Sequence, residues 1–95
     1  MAVRIEWDPR KAASNLRKHG ISFDEAYTVF DDELAFMFDD VQHSQDEPRE
    51  ILIGHSIRER LLVVCFTERQ PDVLRIISAR LATRAERNDY EENTR

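Results

Sequence analysis

The sequence predicts an α+β fold: a small, mainly antiparallel β-sheet carrying two N-terminal helices and one C-terminal helix. Three observations lead there. Two helix-start signals fall early, at Asp8-Pro9 and Ser22-Phe23-Asp24-Glu25, with Gly20 as a stop between them. Three strand-like runs then follow one another across short connections, at 49–56, 60–67 and 73–79. Thr83-Arg84-Ala85-Glu86 finally repeats the spacing that opens a helix. The 95 residues, 41% hydrophobic and 35% charged, read as one domain spanning 1–95, with a thin core and a busy surface.

Val3 to Trp7 is a short strand. Asp8 is placed to cap a helix and Pro9 to occupy its first turn, where its missing N–H costs nothing. That helix should run to about His19. Ala12, Ala13 and Leu16 recur at helical spacing, with His19 next on the same side. Lys18 and His19 suit the negative end of the helix dipole, and Gly20 suits the left-handed residue beyond it. Ser22 opens a second helix, with Glu25 at capping-box spacing and Phe23, Ala26, Tyr27 and Phe30 as its buried stripe. Asp31-Asp32 ends it. Leu34 to Phe38 reads as an edge strand or an ordered crossover, and Asp39 to Pro48 as an acidic loop. Arg49–Ser56, Arg60–Thr67 and Val73–Ala79 are successive strands, joined by turns at 57–59 and 68–72. Short connections favour antiparallel neighbours. The last helix starts near Thr83 and should fray after Tyr90.

Charge is unevenly spread. The total is −5, but residues 1–20 carry +3, residues 21–50 carry −9 and residues 51–95 carry +1. A general nucleic-acid binder is therefore not indicated by the sum, while the two ends remain suited to anions. Twelve of the fourteen cations are arginine, whose planar fork fits phosphate and carboxylate. The two N-terminal helices resemble a helix-turn-helix, yet the second is acidic at both ends and would repel DNA. Cys65 is the single cysteine, so no intrachain disulfide forms and a reducing, cytoplasmic setting is expected. No apolar run approaches a membrane span, so no membrane association is expected. His19, His43, His55 and Cys65 lack ligand spacing, so no metal site is expected. Only Gly20 and Gly54 are glycines, which leaves no phosphate loop, and Ser78 has no nearby histidine for a triad. No cofactor is expected.

Arginine, histidine and carboxylate on a small sheet remain as the candidate chemistry. An arginine inside an apolar strand needs a partner or an open face, because an unpaired buried charge is costly. Strand alternation puts Arg75 with Val73 and Ile77, and Leu74, Ile76 and Ser78 on the other face. A straight strand would send Arg80 to the Ser78 face, so the two arginines diverge unless the strand ends, bulges or twists near Ser78. The expectation is that it ends there. Arg75 fits either an ion pair, with Glu50 or Glu68, or a catalytic role. Lys18-His19 and Glu68-Arg69 form two further clusters. His19 is of the residue type suited to proton transfer, but equally caps a helix or fills a core. Trp7 and Tyr90 suit base stacking or core packing.

Two blocks of the chain resemble the BrnT toxin family. The first is Ile5-Glu6-Trp7-Asp8-Pro9 to Lys11, then Asn15-Leu16-Arg17-Lys18-His19-Gly20-Ile21-Ser22-Phe23 and Ala26. The second is Phe66-Thr67-Glu68-Arg69, Arg75-Ile76-Ile77-Ser78-Ala79-Arg80, Ala82-Thr83, Glu86-Arg87 and Tyr90. Together they cover roughly two thirds of the chain, and the acidic middle matches only loosely. The resemblance implies a RelE-like fold and a small ribonuclease toxin of a type II toxin–antitoxin system. The implied partners are a BrnA-like antitoxin with a ribbon-helix-helix segment, an RNA substrate, and promoter DNA bound through the antitoxin complex. On this reading Arg75 and Arg80 stabilise the charge that develops as RNA is cut without a metal, with Arg69 as a second choice. His19 carries the proton, or Glu68 does. Lys18, Arg17, Trp7 and Tyr90 hold RNA. The alternative is a binding module without catalysis, acting as a corepressor with a DNA-binding partner.

Overall fold

The computed structural model describes residues 3–39 and 48–94. In chain order these form β1 (Arg4–Trp7), α1 (Pro9–His19), α2 (Phe23–Thr28), a 3-10 turn (Val29–Asp31), β2 (Phe36–Asp39), β3 (Glu50–His55), β4 (Leu61–Gln70), β5 (Val73–Leu81) and α3 (Arg84–Asn93). One five-stranded sheet runs in the order β1-β5-β4-β3-β2. β2, β3, β4 and β5 pair antiparallel, while β1 joins the edge of β5 in parallel. The sheet is thus mixed, with the antiparallel majority that the short connections imply. Among the described residues no helix is long and apolar enough to cross a membrane.

The helix caps form where local chemistry places them. The Asp8 carboxylate accepts the Arg10 N–H at 2.8 Å, and Gly20 takes φ +69° with its N–H on the Leu16 carbonyl. The Ser22 hydroxyl accepts the Glu25 N–H at 3.0 Å. Thr83 and Glu86 complete a reciprocal capping box at the start of α3. Other expectations are corrected. α2 is only one and a half turns long before it tightens into the 3-10 turn, which brings Val29 inward and leaves Tyr27 exposed. Leu16 points to solvent, and the inward residue of α1 is Asn15. β4 continues through Gln70, so the turn shrinks to Pro71-Asp72, with Asp72 at φ +65°. β5 reaches Leu81 rather than ending at Ser78, and α3 extends past Tyr90 to Asn93. The expected strand at 34–38 is the edge strand β2. Most of the expected acidic loop lies outside the described residues.

Two hydrophobic layers flank the sheet. Ile21, Phe23, Ala26 and Val29 pack on Leu52, Leu62, Val64, Phe66, Ile76 and Ala79, under α1 and α2. On the opposite face Tyr90 of α3 packs on Ile53, Leu61 and Val63, with Phe36 beside it. Gly54 lets the turn after α2 approach, since a Cβ there would lie 2.7 Å from Ala35 Cβ and 2.9 Å from Asp32 Oδ2.

Asn15 ties these layers together. β1 pairs with β5 only as far as Trp7 opposite Ile76. Beyond that point the Asn15 side chain takes over the edge of β5. Its Nδ2 donates to the Ala79 carbonyl at 2.8 Å, and its Oδ1 accepts the Ala79 N–H at 3.0 Å. Nδ2 also donates to the Ile21 carbonyl at 2.9 Å. Each buried polar group left without a partner costs ~1–3 kcal/mol. Asn15→Ala should therefore lower stability by about 3 kcal/mol or more in urea denaturation, whereas Leu16→Ala should stay within about 0.5 kcal/mol of wild type.

Candidate active site

The strand that carries Arg75 and Arg80 is not regular, and its irregularity decides where they point. Cys65 pairs with Ser78, but its neighbour Phe66 pairs with Ile76. Ile77 is therefore an extra residue in β5, a β-bulge that shifts the side-chain alternation by one. Leu74 and Ile76 before the bulge, and Ala79 after it, all belong to the layer under α1 and α2. Arg75 and Arg80 consequently emerge together on the opposite face, the one partly covered by α3. Of the escapes from divergence that the sequence allows, the structure uses the bulge, not the end of the strand.

Each arginine holds a carboxylate. Glu6 on β1 lies directly opposite Arg75, and its Oε2 accepts from Arg75 Nε at 3.1 Å and lies 3.0 Å from Nη2. The ion-pair alternative for Arg75 is thus realised, with Glu6 and not with Glu50 or Glu68. Arg4 adds a more distant contact to Glu6 at 3.9 Å. Arg80 grips Glu86 with both nitrogens, Nη1 to Oε1 at 2.7 Å and Nη2 to Oε2 at 2.8 Å. The Arg75 and Arg80 side chains remain 34% and 40% exposed, so both present part of their guanidinium to solvent. The hydrogen bonds from Arg80 pull the Glu86 carboxyl down to about 2, well beyond the opposing effect of its burial.

The other expected site residues are not all gathered here. Glu68 pairs with Leu74 and lines a groove with Leu52 and Phe66, on the face away from the arginines. Arg69 is the extra residue of a second bulge, between Glu68 and Gln70, and is exposed. Arg17, Lys18 and His19 are exposed at the end of α1, on the helix-covered side. Trp7 packs edge-on against Phe23 at 6.1 Å, within the core. Tyr90 is only 4% exposed, and its ring is committed to Phe36 and the sheet.

Two polar clusters had no signal in the sequence beyond their residue types. Glu25, buried, accepts from Arg60 Nε at 2.9 Å, again from Arg60 Nη2, and from the Ser56 hydroxyl at 2.7 Å. The Arg60 hydrogen bonds, ahead of the opposing effect of burial, hold its carboxyl below the ordinary value. Glu25 therefore caps with its backbone only, while its side chain holds Ser56 and Arg60 at the two ends of the β3–β4 turn. Asp32 accepts from the His55 N–H at 2.7 Å, the Leu34 N–H at 2.9 Å and the Tyr90 hydroxyl at 3.0 Å. Burial alone would raise the Asp32 carboxyl, but these donors outweigh it and hold it low. Burial, reinforced by Asp32, pushes the Tyr90 hydroxyl up to about 12. His55 Nδ1 lies 3.2 Å from the same hydroxyl. Since that hydroxyl donates to Asp32, its oxygen is free to accept from the His55 ring. Both clusters fasten elements of the fold. Among the described residues no three His, Cys, Asp or Glu side chains converge where a metal ion would bind.

The depressed carboxyl of Glu86 sets an acid limit. Its folded value lies below the ordinary 4.5, so its pairing stabilises the fold above that pH and is lost as the pH falls towards about 2. Thermal midpoints measured against pH should show Glu86→Gln less stable than wild type near neutrality, with the difference closing in that acid window.

The scaffold has known counterparts. The family model for BrnT, the ribonuclease toxin of type II toxin–antitoxin systems, matches residues 7–86, from Trp7 through β5 to the capping glutamate of α3. The crystal structure of the Brucella abortus ribonuclease toxin BrnT superposes with a TM-score of 0.67 at 26% identity, covering 87% of this chain and 100% of that one. No match was found among curated proteins. With its bulged, arginine-bearing strand inside a family match that spans most of its length, the chain belongs to the BrnT family of toxins.

Proposed function

We propose that this protein is a metal-independent endoribonuclease toxin that inhibits translation, with its reacting centre at Arg75 and Arg80. The observation that carries the reading is the bulge at Ile77, which puts both guanidinium groups on one accessible face of the sheet. In-line attack of a ribose 2′-oxygen on the adjacent phosphorus forms the cyclic phosphate and breaks the bond to the 5′-oxygen. Extra negative charge builds on the phosphoryl oxygens as it does so. Preorganised cations aimed at that charge are usually the largest contribution to rate. A phosphate would take over the arginine forks now occupied by Glu6 and Glu86. Arginine stays protonated and cannot be the base. Glu6, once displaced from Arg75, is the nearest carboxylate to accept the 2′-hydroxyl proton, and water protonates the leaving oxygen. Glu6 takes this role in place of His19 and Glu68, which project on the other side. Arg17, Lys18 and His19 serve as backbone contacts for a longer RNA, and Arg69 remains a second cation near the strand end.

The family supports a partner as well. A BrnA-like antitoxin with a ribbon-helix-helix segment neutralises the toxin in this reading, and the complex binds its own promoter.

The decisive assay is purified protein incubated with RNA, with and without ribosomes, in the presence of a chelator. Cleavage under chelation is expected. Arg75→Ala and Arg80→Ala should each reduce it ~100-fold or more while circular dichroism shows a folded protein. Each should also relieve growth arrest. Full toxicity of a folded Arg80→Ala variant would remove that arginine from the mechanism. Absence of cleavage with ribosomes present would favour the non-catalytic corepressor.

A further inference from the structure

The helix-covered face of the sheet is not covered throughout. α1 and α2 lie over β5 and the neighbouring part of β4, and where they run out an open groove of about 440 Å³ remains. Leu52, Phe66 and Leu74 form its floor, with Phe30 and Met37 at its sides. Phe30 and Phe66 meet edge to face at 5.2 Å, so the floor is fixed. Met37 is 56% exposed, and its flexible thioether can adapt to an occupant.

The rim of the groove is acidic. Asp32, Glu50 and Glu68 line it, and among the described residues no basic side chain does. Their situations differ. Asp32 is saturated by three donors. Glu50 lies opposite Phe66, and Glu68 is two residues further along β4, so the two carboxylates are diagonal neighbours on one rim. Elsewhere Glu6, Glu25 and Glu86 each hold an arginine. The Glu50 and Glu68 side chains hold no partner among the described residues. Two like charges beside an apolar floor favour a cationic partner.

We infer that this groove docks a basic, amphipathic segment of the antitoxin, its apolar side chains on Leu52 and Phe66 and its lysines or arginines on Glu50 and Glu68. This rests on the toxin–antitoxin reading above and assigns that partner a place. RNA is not the occupant, because its phosphates would meet carboxylates. The groove and the arginines lie on opposite faces of the sheet, so docking here leaves the reacting centre uncovered by this segment.

The test uses full-length protein and the purified small protein encoded by the adjoining reading frame, with binding followed by calorimetry at rising salt. Glu50→Lys and, separately, Met37→Asp alter the rim and the side wall without touching the arginine face. Each should weaken binding ~10-fold or more, leave thermal stability and toxicity in cells lacking the partner unchanged, and prevent rescue by it. Glu50→Lys should also abolish most of the salt dependence. Unchanged binding and rescue in both variants, with wild type neutralised, would overturn the groove while leaving the toxin–antitoxin reading intact. A wild-type protein that the neighbouring product neither binds nor neutralises would overturn both. A concentration-dependent dimer that Met37→Asp disperses, with partner binding unaffected, would overturn the groove proposal in favour of a second copy of this chain.

Discussion

One side-chain amide holds the parts of this protein in register. β1 pairs with β5 for four residues and stops, leaving the backbone of Ala79 at an open edge inside the core. Asn15 supplies one donor and one acceptor there, as a further strand residue would, and a second donor bond holds the turn between the first two helices. An apolar residue could fill the same volume, but it would leave these backbone groups dry and unpaired. Through Asn15, α1 fixes the far half of β5, which is the half that follows the bulge and carries Arg80.

The bulge then determines what that strand can do. A regular strand would divide Arg75 and Arg80 between the two faces. One inserted residue reverses the alternation and brings both cations out together, at no cost to the buried series of Leu74, Ile76 and Ala79. Their pairing with Glu6 and Glu86 is equally consequential. It keeps two guanidinium groups oriented and solvated without burying an unmatched charge. The two pairs are unequal. Arg80 and Glu86 meet with both nitrogens on both oxygens and also close a helix cap, while Arg75 reaches a single oxygen of Glu6. The Arg75 pair is therefore the more easily opened of the two.

The sheet separates two kinds of surface. The α3 side carries the arginines between β1 and the helix. The α1–α2 side carries an apolar groove rimmed by Glu50 and Glu68.

Local chemistry was legible in the sequence. Asp8, Ser22 and Thr83 act as caps, Gly20 takes the left-handed turn, and three apolar runs become β3, β4 and β5, because each signal depends on residues within a few positions of one another. The candidate arginines were legible as types, and the resemblance pointed to their strand. Their partners were not: Glu6 lies 69 residues from Arg75, and no periodicity links the two. The same holds for Glu25 with Arg60, and for Asp32 with Tyr90, whose burial turned an expected stacking surface into core. By itself, then, the sequence determined the elements, their ends and the supply of cations, since propensity and capping act over a single turn or strand. Only the tertiary structure decided the parallel edge strand, the bulge at Ile77 and the face that Arg75 and Arg80 share, because register and pairing are set by contacts between distant segments.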